Sequence, residues 1–266
     1  MLTKIRAVTT RNPIHHATTA DGLTIPFTIS GSGYPLLHLP NFGLLDPGPK
    51  EQLVHQAIEE RFQRIAFDGR GTGLAPRGLI SYTIADRIAD LEAVVAASGV
   101  SRFVLHGHAW QCATAIRFAV EHPGTVAALW LVNPFPPGPG FGPMPLTEVR
   151  PDAWQHLLRS LAAASLPATS LEMQNITENL ARRVAHADYV VMARGLASDD
   201  VTAFMARVTV PVLVIGVEGL GLEPAARVAA AIPGTAFSAM PSAEFKGMRE
   251  TEDWPLRAFC SFAADR

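Results

Sequence analysis

The residues with chemistry to offer fall in three short turns. In the run Phe103-Val-Leu-His-Gly-His-Ala-Trp-Gln-Cys112, a β-rich stretch enters Gly107. An Ala-rich, helix-prone segment leaves from Ala113, with Ile116, Ala119 and Val120 on one face. His108 brings an imidazole that could move a proton, or that could simply hold neighbouring loops by hydrogen bonds. Ala109 has no lone pair, so nucleophilic catalysis from that position is ruled out. Trp110 either walls a pocket or packs beneath a neighbouring segment. The second turn is Pro40-Asn41-Phe42-Gly43. Pro40 has no N–H to give, while Asn41 can donate through its side chain or hold the turn. The third is Asp68-Gly-Arg-Gly-Thr-Gly73. Its glycines invite a phosphate-binding reading, but neither G-x-x-x-x-G-K-[ST] nor the G-x-G-x-x-G spacing is present. Asp68 and Arg70 therefore read as structural.

The elements that must position these turns follow from periodicity. Residues 14–30 alternate around Asp21-Gly22 as an opening hairpin, and Pro35–Leu39 is a short buried strand. Residues 50–63 have a helical face that includes Leu53, Val54, Ala57, Ile58 and Phe62. A strand follows at 64–68, then a helix opened by a Thr83–Asp86 capping box and ended by Gly99. Val126–Val132 is another buried strand, so from Asp68 onward β and α units alternate, which implies a parallel sheet with right-handed crossovers. The stretch 134–145 is too rich in Pro and Gly for a helix or central strand. Residues 151–206 are helical in pattern, with a second capping box at Thr169–Glu172 and one continuous stripe over Leu180, Val184, Ala187, Val190 and Val191. A strand at 210–216, a helix at 224–232, a strand at 235–238 and a helix over Trp254–Ala264 complete the pattern.

Composition bounds the rest. The 266 residues, 48% hydrophobic, suit one large α/β domain. A net charge of −2 gives no electrostatic reason for nucleic acid or an anionic membrane surface as a partner. Cys112 and Cys260 suggest neither a disulfide framework nor a metal site. Residues 1–12 lack the apolar core of a signal peptide, and no apolar run reaches the roughly 18 residues of a membrane span. The expectation is a cytoplasmic protein that handles a small molecule, with no cofactor and no metal. A homodimer is compatible with the sequence.

The strand–Gly107–helix layout resembles the nucleophile elbow, G-x-S-x-G, of the α/β-hydrolases. The Asp68–Leu74 run looks like that family's D-x-R-G-x-G-x-S stretch, with Ala75 in the final Ser position. The resemblance implies an α/β-hydrolase fold: a mostly parallel sheet with helices on both faces and a helical lid. Residues 1–134 and 207–266 would form the core domain and 135–206 the cap. It also implies what is missing. Ala109 stands at the nucleophile position and Gln111 at the second Gly. Pro40-Asn41 replaces the usual His-Gly, Leu220 falls where the triad Asp belongs, with Glu218 two positions early, and Glu244 stands where the His belongs. Three coordinated losses argue against a Ser-His-Asp mechanism.

Within that frame Glu244 and His108 are the candidate catalytic residues. Ala109, Trp110, Asn41, Phe42 and Leu220 are the candidate substrate-binding residues. A carboxylate at 244 facing apolar walls would have its pKa raised and could act as a general acid or base; solvent exposure, or pairing with Lys246 or Arg249, is the bland alternative. The backbone N–H of Trp110 could polarise a carbonyl or enolate oxygen. Two functions fit. One is a non-hydrolytic enzyme (lyase, isomerase, dehydratase or cyclase type) acting on a small, largely apolar carbonyl compound. The other is a small-molecule-binding or sensor protein, since the Pro-Asn-Phe and Asp68–Leu74 runs also look similar to α/β-hydrolase-like domains of bacterial regulators and cyclases. A structural partner with a closed pocket is a third.

Overall fold

The structure, a computed structural model, describes residues 12–45, 49–135, 149–165, 170–219 and 221–241. Strands β1 (His15–Thr18) and β2 (Thr24–Ser30) form the opening hairpin, and β3 (Tyr34–His38) follows. Next come α1 (Pro49–Glu59), β4 (Phe62–Phe67), α2 (Ile84–Ser98), β5 (Phe103–His108), α3 (Gln111–Glu121) and β6 (Val126–Val132). A 3-10 turn at Pro151–Ala153 leads into α4 (Trp154–Ser165), α5 (Ser170–Arg183), α6 (His186–Ala197) and the short α7 (Thr202–Met205). Strand β7 (Val212–Val217), α8 (Leu222–Ala231) and β8 (Ala236–Met240) close the described chain.

One sheet runs in the order β1-β2-β4-β3-β5-β6-β7-β8. The β1–β2 and β2–β4 pairs are antiparallel, and every later pairing is parallel. From β3 the chain crosses outward to β4 through α1, then returns past β3 to β5 through α2. Crossovers of one hand that travel in opposite directions lie on opposite faces. Accordingly, Ile58 of α1 packs with Leu36, Val104 and Trp130 on one face of the sheet. Leu91 of α2 and Ile116 of α3 pack with Leu37, Leu105 and Leu129 on the other. The C-terminal ends of β3 and β5, where the winding reverses, are the crevice in which open α/β sheets bind ligands.

Two expected elements are placed differently. The helix expected over 50–63 stops at Glu59, and Phe62 instead begins β4, opposite Tyr34. The turn between β2 and β3 explains the stop, because a Cβ at Gly31 would lie 2.4 Å from the Phe62 carbonyl oxygen and 2.5 Å from that of Glu59. The single stripe from Leu180 to Val191 is split between α5 and α6. Val184 leaves the helix to bridge Thr72, Gly73 N–H donates to the Arg183 carbonyl at 2.8 Å, and Ala185 is extended (φ −82°, ψ 150°). The Thr83–Asp86 capping box and the left-handed Gly99 cap of α2 are as the sequence implies. The Thr169 box and the Trp254–Ala264 helix lie outside the described residues.

Polar groups are buried on the α1 face of the sheet. His38 and His106 are cross-strand neighbours with ring centroids 4.7 Å apart. His55 of α1 sits 5.7 Å from His38, and Trp130 sits 4.3 Å from His106. Arg64 Nε donates to His38 Nδ1 at 3.4 Å and its Nη1 meets Glu59 at 3.3 Å. Among the described residues no three His, Cys, Asp or Glu side chains are arranged to hold a metal ion. Burial, then the neighbouring imidazoles and the Arg64 guanidinium, hold His38 well below the usual histidine range. Burial, then Arg64, Arg183 and His106, does the same to His55. Burial takes His106 down to about 3, despite its bond to the Trp130 carbonyl, with His108 and Arg64 adding to the shift. These groups fold as neutral rings. Their contribution is therefore complete above the unfolded-state value near 6.5 and is lost as pH falls below it. The melting temperature should drop by on the order of 10 °C between pH 7.5 and pH 4.5, and His55→Leu should flatten that slope. A pH-independent melting temperature over this range would show that the imidazoles titrate freely in the folded state.

Candidate active site

The turn between β5 and α3 is built by close packing. A Cβ on Gly107 would lie 3.1 Å from both the Cα of Cys112 and the carbonyl oxygen of Gln111, so a side chain there would push the start of α3 away from β5 by a few tenths of an ångström. The next-but-one residue must then reverse the chain in a left-handed conformation. Ala109 does so at φ 53°, although it carries a Cβ. Its N–H is tied to the Val132 carbonyl at 2.9 Å, and its own carbonyl accepts from Cys112 N–H at 3.2 Å. The tip is 7% exposed and offers only a methyl group. The amides of Trp110 and Gln111 stand at the start of α3, where a helix leaves its first N–H groups without intrahelical partners.

β3 and β5 bring Asn41 and His108 together. The strands are in parallel register at His38 and His106, and Leu39 N–H bonds the His106 carbonyl at 3.0 Å. Two residues further on, Asn41 Nδ2 lies 2.9 Å from His108 Nδ1. With the amide donating, Nδ1 accepts, and the imidazole proton resides on Nε2. Burial lowers the His108 pKa to about 4, so the ring is neutral at physiological pH and presents an N–H donor. Gln111, at the position of the motif's second Gly, bonds the Pro40 carbonyl and ties the 40–43 turn to α3. Phe42 packs edge-on against Trp110 with centroids 5.0 Å apart.

The helical insertion between β6 and β7 meets this turn directly. Tyr189 of α6 lies 6.5 Å from Phe42 and 5.0 Å from Trp154 of α4. Helix α6 is fixed to the core at three points. Asp188 Oδ1 accepts from the N–H groups of Gly78 and Leu79 at 2.9 and 2.8 Å. Arg87 of α2 pairs with Asp199 just beyond α6. Gly195 packs so closely on the Tyr82 carbonyl that a Cβ would approach it to 2.0 Å. Asp68 and Arg70 are structural, as their loop suggests. Asp68 accepts from the N–H groups of Leu45 and Leu74 at 3.0 and 2.8 Å, and Arg70 Nη2 pairs with Asp90 at 2.7 Å.

The structure thus brings together Asn41, Phe42, His108, Ala109 and Trp110 of the expected site. Glu244 and Leu220 lie outside the described residues. Glu218 is described, and it is exposed at the end of β7. Tyr189 was not singled out by the sequence; it lies between positions of the Leu180–Val191 stripe and is not one of them. Asn133 was missed as well. It follows β6 with a left-handed φ of 47°, and its Oδ1 accepts from Val217 N–H at 2.8 Å, locking β6 to β7 beside the site.

Because Ala109 carries a Cβ in a left-handed turn, Ala109→Gly should stabilise the protein by about 0.5–1 kcal/mol net of the added chain entropy of glycine. Gly107→Ala, which must displace the start of α3 by a few tenths of an ångström, should destabilise it by about 1 kcal/mol. Chemical denaturation of both variants checks this pair, and a destabilising Ala109→Gly would show that the turn is not strained.

A family model described as alpha/beta hydrolase fold matches residues 48–172. The "Putative carbamate hydrolase RutD" of Klebsiella pneumoniae subsp. pneumoniae is 36% identical over 78 residues, which is 29% of this chain and 29% of that protein. The match therefore spans less than a third of the curated relative's length. Two solved structures align along nearly the whole chain. The bromoperoxidase from Bacillus anthracis does so with a TM-score of 0.79 at 13% identity, covering 95% of this chain and 100% of its own. A hydrolase from Pseudomonas aeruginosa PA01 gives a TM-score of 0.77 at 19% identity, covering 96% and 99%. With the strand order, the crossovers and the strand–helix turn already in place, these likenesses establish that the chain has the α/β-hydrolase fold.

Proposed function

We propose that this chain is a non-hydrolytic enzyme that acts on a small, largely apolar carbonyl compound by general acid/base chemistry, with no covalent intermediate. The observation that carries the reading is the elbow itself. A left-handed tip is retained at Ala109, where no nucleophile can form, beside a neutral His108 whose N–H is set by Asn41. The relatives' names keep carbonyl chemistry in view, because a carbamate hydrolase must also bind and polarise a carbonyl. In this reading His108 Nε2–H and the Trp110 backbone N–H polarise the substrate oxygen. Glu244 removes or returns the proton, and the insertion over 135–206 acts as a lid that excludes water. Burial takes the His108 pKa down to about 4, so at physiological pH the ring is uncharged and its one N–H acts as a neutral hydrogen-bond donor. A second reading, a binding or sensor protein on the same fold, is favoured by the same absence of a nucleophile.

The test is to incubate the purified protein with a panel of small aryl and alkyl carbonyl compounds and follow them by mass spectrometry. Isomerised, dehydrated or cyclised products support the enzyme, whereas products of added water would overturn it. Compounds recovered unaltered in stoichiometric complex would move the assignment to the binding protein. Glu244→Gln should abolish turnover while retaining binding, and His108→Ala should lower kcat by about 10²–10³-fold. An unchanged rate in either variant would remove that residue from the mechanism.

A further inference from the structure

Gln111 spans the two loops that meet at the elbow. Its backbone is fixed on the β5 side, where its carbonyl oxygen lies 3.1 Å from the place a Cβ on Gly107 would take. Its side chain is buried, and Nε2 donates to the Pro40 carbonyl just beyond β3. Glycine, the residue of the elbow motif at this position, has no side chain to make that bond. The chain after β3 has little other freedom. Leu39 N–H is held by the His106 carbonyl at 3.0 Å. The proline ring fixes φ at position 40 and restricts the residue before it. Gly69 packs on that ring so closely that a Cβ there would lie 3.4 Å from Pro40 Cγ. The torsion left to swing Asn41 is ψ of Pro40, and Gln111 holds the carbonyl that this torsion turns.

Asn41 in turn decides where the His108 proton sits. A neutral imidazole has two tautomers, and the ring nitrogen that accepts a hydrogen bond is the one without the proton. With Asn41 Nδ2 donating to Nδ1 at 2.9 Å, the proton is on Nε2. Among the described residues no other group bonds the ring. We propose that Gln111 is a positioning residue: through the Pro40 carbonyl it fixes the Asn41 amide, and so keeps His108 as its Nε2–H tautomer. The inference deepens the proposed function, in which that N–H polarises the substrate oxygen. It rests on that reading for its use and not for its test.

The test is nitrogen NMR of the His108 ring at pH 7.5, which reads the two tautomers with no substrate present. The wild-type protein should show the Nε2–H form in large excess, with scalar couplings across the Asn41–His108 and Gln111–Pro40 hydrogen bonds. Gln111→Met keeps the length of the side chain and removes the donor. It should lower the ratio of Nε2–H to Nδ1–H about five- to tenfold, the worth of one neutral hydrogen bond, and abolish the Asn41–His108 coupling. Asn41→Leu removes the controlling donor itself and sets the full size of the change. An unaltered ratio in folded Gln111→Met overturns the proposal. So does an Nδ1–H ring, or the absence of either coupling, in the wild-type protein, a result that needs no variant. Tautomer control with no carbonyl compound converted upholds the role of Gln111 and overturns the enzymatic reading. Conversion of a carbonyl compound, together with an unaltered ratio in Gln111→Met, does the reverse.

Discussion

The approach of α3 to β5 at Gly107 is the constraint on which the rest of the site depends. A helix start packed within van der Waals contact of a strand end leaves one residue to reverse the chain, and that residue must be left-handed. Ala109 occupies it at a cost of roughly 1–2 kcal/mol relative to an ordinary conformation. The cost is met by the surrounding hydrogen bonds to Val132 and Cys112 and by the buried packing of Ala115 and Ile116 beneath. Once the turn is fixed, the direction of His108 on one side and of the Trp110 amide on the other is fixed with it. A methyl group at the tip changes the reactivity of the turn without changing its geometry.

Topology supplies the second half of the site. β3 and β5 are adjacent only because the sheet winds outward to β4 and then back, and the loops leaving their C-terminal ends must therefore meet. The Asn41–His108 bond is the local result, and the link from Gln111 to Pro40 holds the two loops at one spacing. The insertion adds the third wall. Asp188, Arg87–Asp199 and the Gly195–Tyr82 contact hold α6 against the core, and so set where Tyr189 stands relative to Phe42. A wall held by buried backbone contacts has a defined position.

The interior divides its polar groups into two kinds. Asp68 and Arg70 are buried and matched, and their hydrogen bonds give the glycine-rich loop one conformation. Asn41 Oδ1, Trp110 Nε1 and Tyr189 O–H are buried and unmatched, and they adjoin the elbow. Charge is kept away from that region by the same burial that neutralises His108. The result is an apolar, aromatic environment with a few directed dipoles, in which a hydrogen bond to a carbonyl is stronger than it would be in water.

Local sequence alone determined the alternation of strands and helices, the Thr83 and Gly99 caps of α2, the strand–Gly107–helix turn and the absence of a nucleophile at 109. Each follows from backbone preferences or side-chain chemistry within a few residues. It also pointed to Asn41, Phe42, His108 and Trp110, because turn residues between periodic segments are where side chains are free to act. Tertiary structure alone decided that α1 yields to β4 before Phe62, since Gly31 of a distant turn packs against that junction. It decided that the Leu180–Val191 stripe breaks at Val184, where the glycine-rich loop takes over the backbone hydrogen bonds. It also set Tyr189 against Phe42 and left its hydroxyl without a hydrogen-bond partner. Periodicity assigns a residue to a buried face, but which partner that face meets, and whether every polar atom on it finds one, depends on contacts between segments far apart in the chain.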